Sequence, residues 1–226
     1  MKTFLGVIII VSSWFLVVSA NTIRVPQDQP SIQEGINAAV NGDTVLVADS
    51  TYYENIDFLG KAITVASYMI MDHDTTHRDS TIINGSQPHD PNKGAVVSFV
   101  SGEDSTSVLF GFTITEGSGT WYSAYQARAG GGISCDNSGC KIIANKIIIN
   151  NVTGPVALGG GVAAVPMGST AYMVLENNQI TQNMVKTNNT WAQGGGVFLN
   201  SNAKLTANLI SYNTCISDTM SNPITW

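Results

Sequence analysis

Three glycine triplets, each followed by a β-branched residue, constrain this chain more than anything else in it. GGGI begins at Gly130, and GGGV begins at Gly159 and again at Gly194. A phosphate-cradling glycine loop is used once, between a strand and a helix. None of these triplets leads into Lys-Ser/Thr or a helical pattern. Behind each triplet comes a strand pair ending in N-x-I-x-x-N: Asn145 to Asn150, Asn178 to Asn183 and Asn208 to Asn213. The central isoleucines, Ile147, Ile180 and Ile210, step by 33 and 30 residues, and one further step back reaches Ile114. Repetition at this period is the mark of a solenoid. One coil stacks its isoleucine on the next, and the asparagines form columns whose amides hydrogen-bond along the axis. Glycine serves at the corners, where the chain turns with positive φ or approaches the next coil closely.

Upstream, a run of short apolar segments such as TVLVA, AITVAS and SVLFGFTIT is punctuated by Gly, Asn, Asp and Ser, as expected for strands and turns. One helix is predicted. Ser31 and Glu34 read as a capping box after Pro30, Ile32, Ile36, Ala39 and Val40 share a face, and Gly42 closes the segment. Laid over the first coil, it would cover an otherwise open end. No second helix is expected beyond Asp43. The fold class is therefore all-β: a right-handed parallel β-helix solenoid with a short N-terminal capping helix.

Residues 1–20 read as a signal peptide: Lys2, the apolar run from Phe4 to Val18, and the small residues Val18-Ser19-Ala20 before Asn21. The run is shorter than the ~20 residues of a membrane span. Cleavage leaves residues 21–226 as one exported β-helix domain without a span, secreted or at the cell surface. The third Thr-Trp dipeptide, Thr225-Trp226, stands where another glycine triplet is due, so a longer parent protein is expected. With 16 acidic against 10 basic side chains and a net charge of −6, the chain lacks the basic surface that nucleic acid requires.

The stretch 30–67, together with STIING and LFGFTITEG, resembles the amino-terminal opening of the pectin-lyase-like superfamily of parallel β-helix proteins. GGG[IV] with I-x-x-N is similar to the GGxI and FxxN repeats of polymorphic outer-membrane proteins. The resemblance implies a carbohydrate-directed or adhesive role. The motifs that its pectinesterases, polygalacturonases and pectate lyases require are missing, and the acidic residues of the repeats, such as Glu116, Asp136 and Glu176, are scattered. Glycoside hydrolysis needs two facing carboxylates. The expectation is a binding protein for a polysaccharide or a cell-surface component, without catalytic residues. Two alternatives stand beside it: the N-terminal part of a carbohydrate-active enzyme with its catalytic coils downstream, and an adhesin stalk.

Candidate sites follow from the loops. Trp121, Tyr122, Tyr125 and Arg128 precede the first triplet and Trp191 precedes the third. Loops at one corner project from one edge, which puts Trp121 and Trp191 about 10 Å apart, two coils away from each other. Such aromatics suit sugar rings, or else pack over their own loops. The polar stretch 71–90 holds His73 and His77 with Asp72 and Asp74, which make a metal site or a solvated loop. No cofactor is implied, calcium being left open. Cys135 and Cys140 flank the turn-forming DNSG and either close a disulfide or remain thiols. Sequons occur at Asn84, Asn151 and Asn188.

Overall fold

The computed structural model describes residues 20–165, 172–187 and 191–217. Residues up to Ser19, read above as a signal peptide, the sequon at Asn188 and the Thr225-Trp226 dipeptide lie outside them. Among the described residues, parallel strands stack into a solenoid of about five turns. A seven-stranded sheet runs in the order Thr22–Val25, Thr44–Val47, Thr64–Ser67, Val108–Phe110, Cys140–Ile143, Tyr172–Glu176 and Asn202–Thr206. A six-stranded sheet carries the isoleucines, from Ser50–Tyr52 to Leu209–Ser211. A five-stranded sheet follows the glycine triplets: Ile56–Asp57, Val97–Phe99, Ile133–Cys135, Val162–Ala164 and Val197–Leu199.

The expected register holds. Ile114 pairs with Ile147, Ile147 with Ile180, and Ile180 with Ile210, and Ile83 extends the column upward. The first four are fully buried; Ile210, on the last described coil, is 44% exposed. Two asparagine ladders flank the column. Asn150 Nδ2 donates to Asn183 Oδ1 at 2.9 Å, and Asn183 Nδ2 to Asn213 Oδ1 at 3.0 Å. Asn145, Asn178 and Asn208 form the second ladder. Each side-chain oxygen also accepts a main-chain N–H of the neighbouring coil: Asn178 from Asn145 and Asn183 from Asn150, while Asn145 and Asn150 accept from Phe112 and Gly117. The ladders thus satisfy buried main-chain donors at the corners, where no strand pairing reaches.

The triplets stack in the same way: Gly131 N donates to Gly159 O and Gly160 N to Gly194 O. The first glycine of each has positive φ, 65° at Gly130. A Cβ on Gly131 would stand 2.3 Å from Gly160 O, so only glycine fits between these coils.

The N-terminal helix spans Ile32–Ala38, with Ser31 Oγ accepting from Glu34 N at 3.2 Å. Ile32 and Ile36 are fully buried in the core with Val25 and Val45. One expectation about this helix is corrected. It stops before Val40, which is exposed, because Lys61 Nζ donates to the carbonyls of Ile36, Asn37 and Ala39. Its free N–H groups at Ile32 and Gln33 are taken by Glu54 from the next coil. A charged donor set at the last carbonyls and a carboxylate at the first amides both match the helix dipole.

The stretch after Tyr68 departs from the expected loop. It forms short helices at Met69–Asp72 and Thr75–Ser80. His73 turns with φ 63° between them, and the Asp74 carboxylate caps the second by accepting from Thr76 N. A local cap outweighs the poor propensity of His-Asp-Thr-Thr-His.

The segments read as loops before the glycine triplets form a further sheet. Gly119–Tyr122 and Ala127–Ala129 pair antiparallel, and Ala127–Ala129, Val156–Leu158 and Trp191–Gln193 then stack in parallel. One face of this sheet packs on a three-stranded sheet, Asn151–Thr153, Met184–Thr187 and Thr214–Ser217, through Val152, Ala157, Val185 and Ala192. The two sheets make a fin that stands out from the solenoid. Among the described residues, no helix is long and apolar enough to cross a membrane.

Candidate functional site

A cleft opens between the other face of the fin and the outer surface of the sheet that follows the triplets. Side chains alternate along strands, so Ile133, Val162 and Val197 point into the core while the next residue points out. Paired register gives one outward column: Asp57, Ser98, Ser134, Ala163 and Phe198. It runs from polar to apolar along the solenoid axis.

At its apolar end the cleft encloses about 360 Å³. Leu158, Val156 and Ala127 line it from the fin, and Phe198 and Val165 from the opposite wall. Tyr125 and Trp191 also line it, with Gln193 and Asn200 as its amide groups. Trp191 is 61% exposed. It sits there because it pairs with Val156, on the cleft-facing side of its strand.

The aromatic residues read from the sequence therefore divide. Tyr122 pairs with Ala127 and faces the same way as Tyr125, the ring centroids 6.4 Å apart. Its hydroxyl meets Ser134 Oγ at 2.7 Å, closing the middle of the cleft, and burial raises the phenol well above the ordinary tyrosine range. Trp121 and Arg128 pair with each other and belong to the opposite face. Arg128 Nη1 donates to the carbonyls of Pro91 and Gly119, which makes it a brace for the hairpin. The shared platform expected for Trp121 and Trp191 does not form, because Trp121 lies on a hairpin strand with the opposite side-chain phase.

On the far side of Tyr122 a separate, polar cavity of about 480 Å³ opens on the same face, where Asp57 and Ser98 of the outward column line it. Glu54, Asn55, Asp57, His89, Asp90 and Lys93 are in its lining. Of this lining, sequence reading touched only His89 and Asp90, as part of the polar stretch 71–90, and missed Glu54, Asn55, Asp57 and Lys93. The available signal was the outward phase of Asp57, next to the buried Ile56. Burial raises the Asp57 carboxyl; the Leu59 N–H bond and Lys93 pull the other way, and Glu103 adds to the rise.

The histidine and aspartate candidates do not converge as a metal set. His77 Nδ1 lies 2.8 Å from Asp49 Oδ1 and its Nε2 lies 3.3 Å from Asp72 Oδ2. Asp74 is occupied as a helix cap, and His73 is exposed at the turn between the two helices. No group of three or more His, Cys, Asp or Glu among the described residues is placed to hold a metal ion. Of the two alternatives for Cys135 and Cys140, the structure has them as buried thiols, the two side chains next to each other. Cys135 Sγ donates to Ser138 O at 2.8 Å, and burial pushes the Cys140 thiol well up.

No protein-family model matches this chain, and it matches neither a curated protein nor a solved structure.

Proposed function

We propose that this chain is an exported or surface-facing β-helix protein of the pectin-lyase-like kind that binds a polysaccharide along its fin cleft. The observation that carries the reading is that an exposed Trp191 and Tyr125 line one apolar cavity, with two amides in the same lining. Pyranose rings present an apolar face to aromatic side chains and hydroxyls to amides, and a site mostly apolar with a few placed polar groups is the usual form of a binding cleft. The coils repeat every ~4.8 Å, close to the length of one sugar unit, so a glycan can lie along the axis in register with the scaffold. Binding rather than catalysis follows from the missing hydrolase and lyase motifs.

The test is retention of the purified mature chain on a panel of immobilised neutral, acidic and amino polysaccharides. Wild-type protein is retained on at least one, and Tyr125→Ala with Trp191→Ala together abolish that retention while the melting curve stays unchanged. Equal retention of the double variant would remove the cleft from the account.

A further inference from the structure

We propose that cleavage between Ala20 and Asn21 gives the chain an α-ammonium group that pairs with the buried carboxylate of Asp43 and locks the first coil to its capping helix. The pairing rests on the export reading and adds what processing does to the fold.

Among the described residues, main-chain bonding into the solenoid begins at Asn21. Its N–H donates to Asp43 Oδ1 at 2.8 Å, and its carbonyl accepts from Thr44 N at 2.8 Å. Thr22 then opens the first strand pair, opposite Thr44. Ala20 and Asn21 are exposed, whereas Asp43 is buried at 3% exposure. The second Asp43 oxygen accepts from Val40 N at 2.9 Å, in the turn that leaves the helix. One carboxylate thus joins the start of the first strand to the exit of the capping helix.

This carboxylate lacks a counter-charge. The main-chain N–H groups of Val40 and Asn21 hold it below the ordinary carboxylate range, against the cost of burial. None of the ion pairs among the described residues includes it. The two cationic side chains of residues 21–67 are engaged elsewhere: Arg24 with Asp28 at 2.9 Å, and Lys61 with the carbonyls of Ile36, Asn37 and Ala39. Glu34 and Glu54 act at the other end of the helix. A buried carboxylate that gains a hydrogen-bonded cation recovers part of its desolvation cost.

In the uncleaved chain Asn21 offers that carboxylate one amide proton and no charge. A signal-processing peptidase hydrolyses the Ala20–Asn21 bond after the small residues Val18-Ser19-Ala20. The oxygen of water goes to the Ala20 carbonyl carbon, which leaves as a carboxylate. Both water protons end on Asn21 N, which becomes an ammonium. The 2.8 Å contact then carries a charge on each side, the stronger class of hydrogen bond.

N-terminal sequencing of the chain recovered outside the producing cells is expected to start at Asn21. Thermal melting then compares a chain that begins at Asn21 with one that keeps Ser19 and Ala20, where Asn21 N stays an amide. Between about pH 5 and pH 7.7 the chain that begins at Asn21 should melt at least about 2 °C higher. An ammonium held by a carboxylate has a raised native value, so this advantage is lost as the pH rises through it, by about pH 10. Asp43→Asn removes the advantage at every pH. Equal melting of the two chains, an advantage that persists at high pH or in Asp43→Asn, or a terminus at another residue of the exported chain overturns the pairing and leaves the export reading standing. A chain that keeps Met1 overturns both.

Discussion

The Tyr122 hydroxyl lies 2.7 Å from Ser134 Oγ, and this bond ties the fin to the wall of the solenoid. Ser134 is fully buried. Tyr122→Phe keeps the ring and strands the serine hydroxyl, so it should destabilise the fold by about 1–2 kcal/mol. Urea unfolding measures this. A change below the noise would mean that the serine hydroxyl finds another partner when the phenol is gone.

The asparagine ladder makes a sharper prediction. Asn183 Oδ1 accepts both the main-chain N–H and the amide of Asn150, and its own amide reaches Ile147 O, Thr181 O and Asn213. Asn183→Ala leaves the Asn150 N–H buried without an acceptor and should cost about 3 kcal/mol. Asn183→Asp keeps that acceptor but cannot donate to Ile147 O, Thr181 O or Asn213 Oδ1, so it should not restore the stability. Asn213→Ala, on the last described coil and half-exposed, should cost less. Chemical denaturation of the three variants orders them.

A corner residue offers the opposite sign. Ala144 turns with φ 58°, where the equivalent corner one coil earlier has Gly111 at φ 76°. A left-handed non-glycine residue costs about 1–2 kcal/mol, and glycine returns up to about 1 kcal/mol of that as unfolded-state entropy. Ala144→Gly should therefore stabilise by roughly 0.5 kcal/mol, read as a rise in melting temperature; a fall would show that the alanine methyl packs more strongly than its backbone is strained.

His77 sets a pH dependence. The bond to Asp49 raises it most, with Asp72 adding to the rise against partial desolvation. A raised native value means that this stabilisation is fully present below the ordinary histidine value of about 6.5 and is lost as pH rises through the native one. Melting temperature should fall across that window, and His77→Gln should flatten the fall. An unchanged slope in the variant would assign the titration to another group.

The solenoid was legible because its signal repeats. A triplet and an N-x-I-x-x-N spaced by one coil leave a single register, and the structure places Ile147 on Ile114 as that register requires. The cleft was not legible in the same way. It is built from the residue after each core position, Ser134, Ala163 and Phe198, which has no common chemistry from coil to coil. Trp121 and Trp191 look equivalent because each follows a threonine. Pairing decides otherwise: Trp121 faces its strand partner Arg128 and Trp191 stacks on Val156. The helices at Met69–Asp72 and Thr75–Ser80 escaped for a related reason, since one capping carboxylate at Asp74 holds a turn that propensity alone rejects.

Amide hydrogen exchange, with and without an oligosaccharide retained by the protein, tests the central claim most directly. The account predicts added protection in the cleft strands Val156–Leu158, Trp191–Gln193 and Val197–Leu199 and around Tyr125, with the asparagine corners unchanged. Protection confined to the opposite face of the fin, around Trp121 and Arg128, or no protection anywhere, would contradict it.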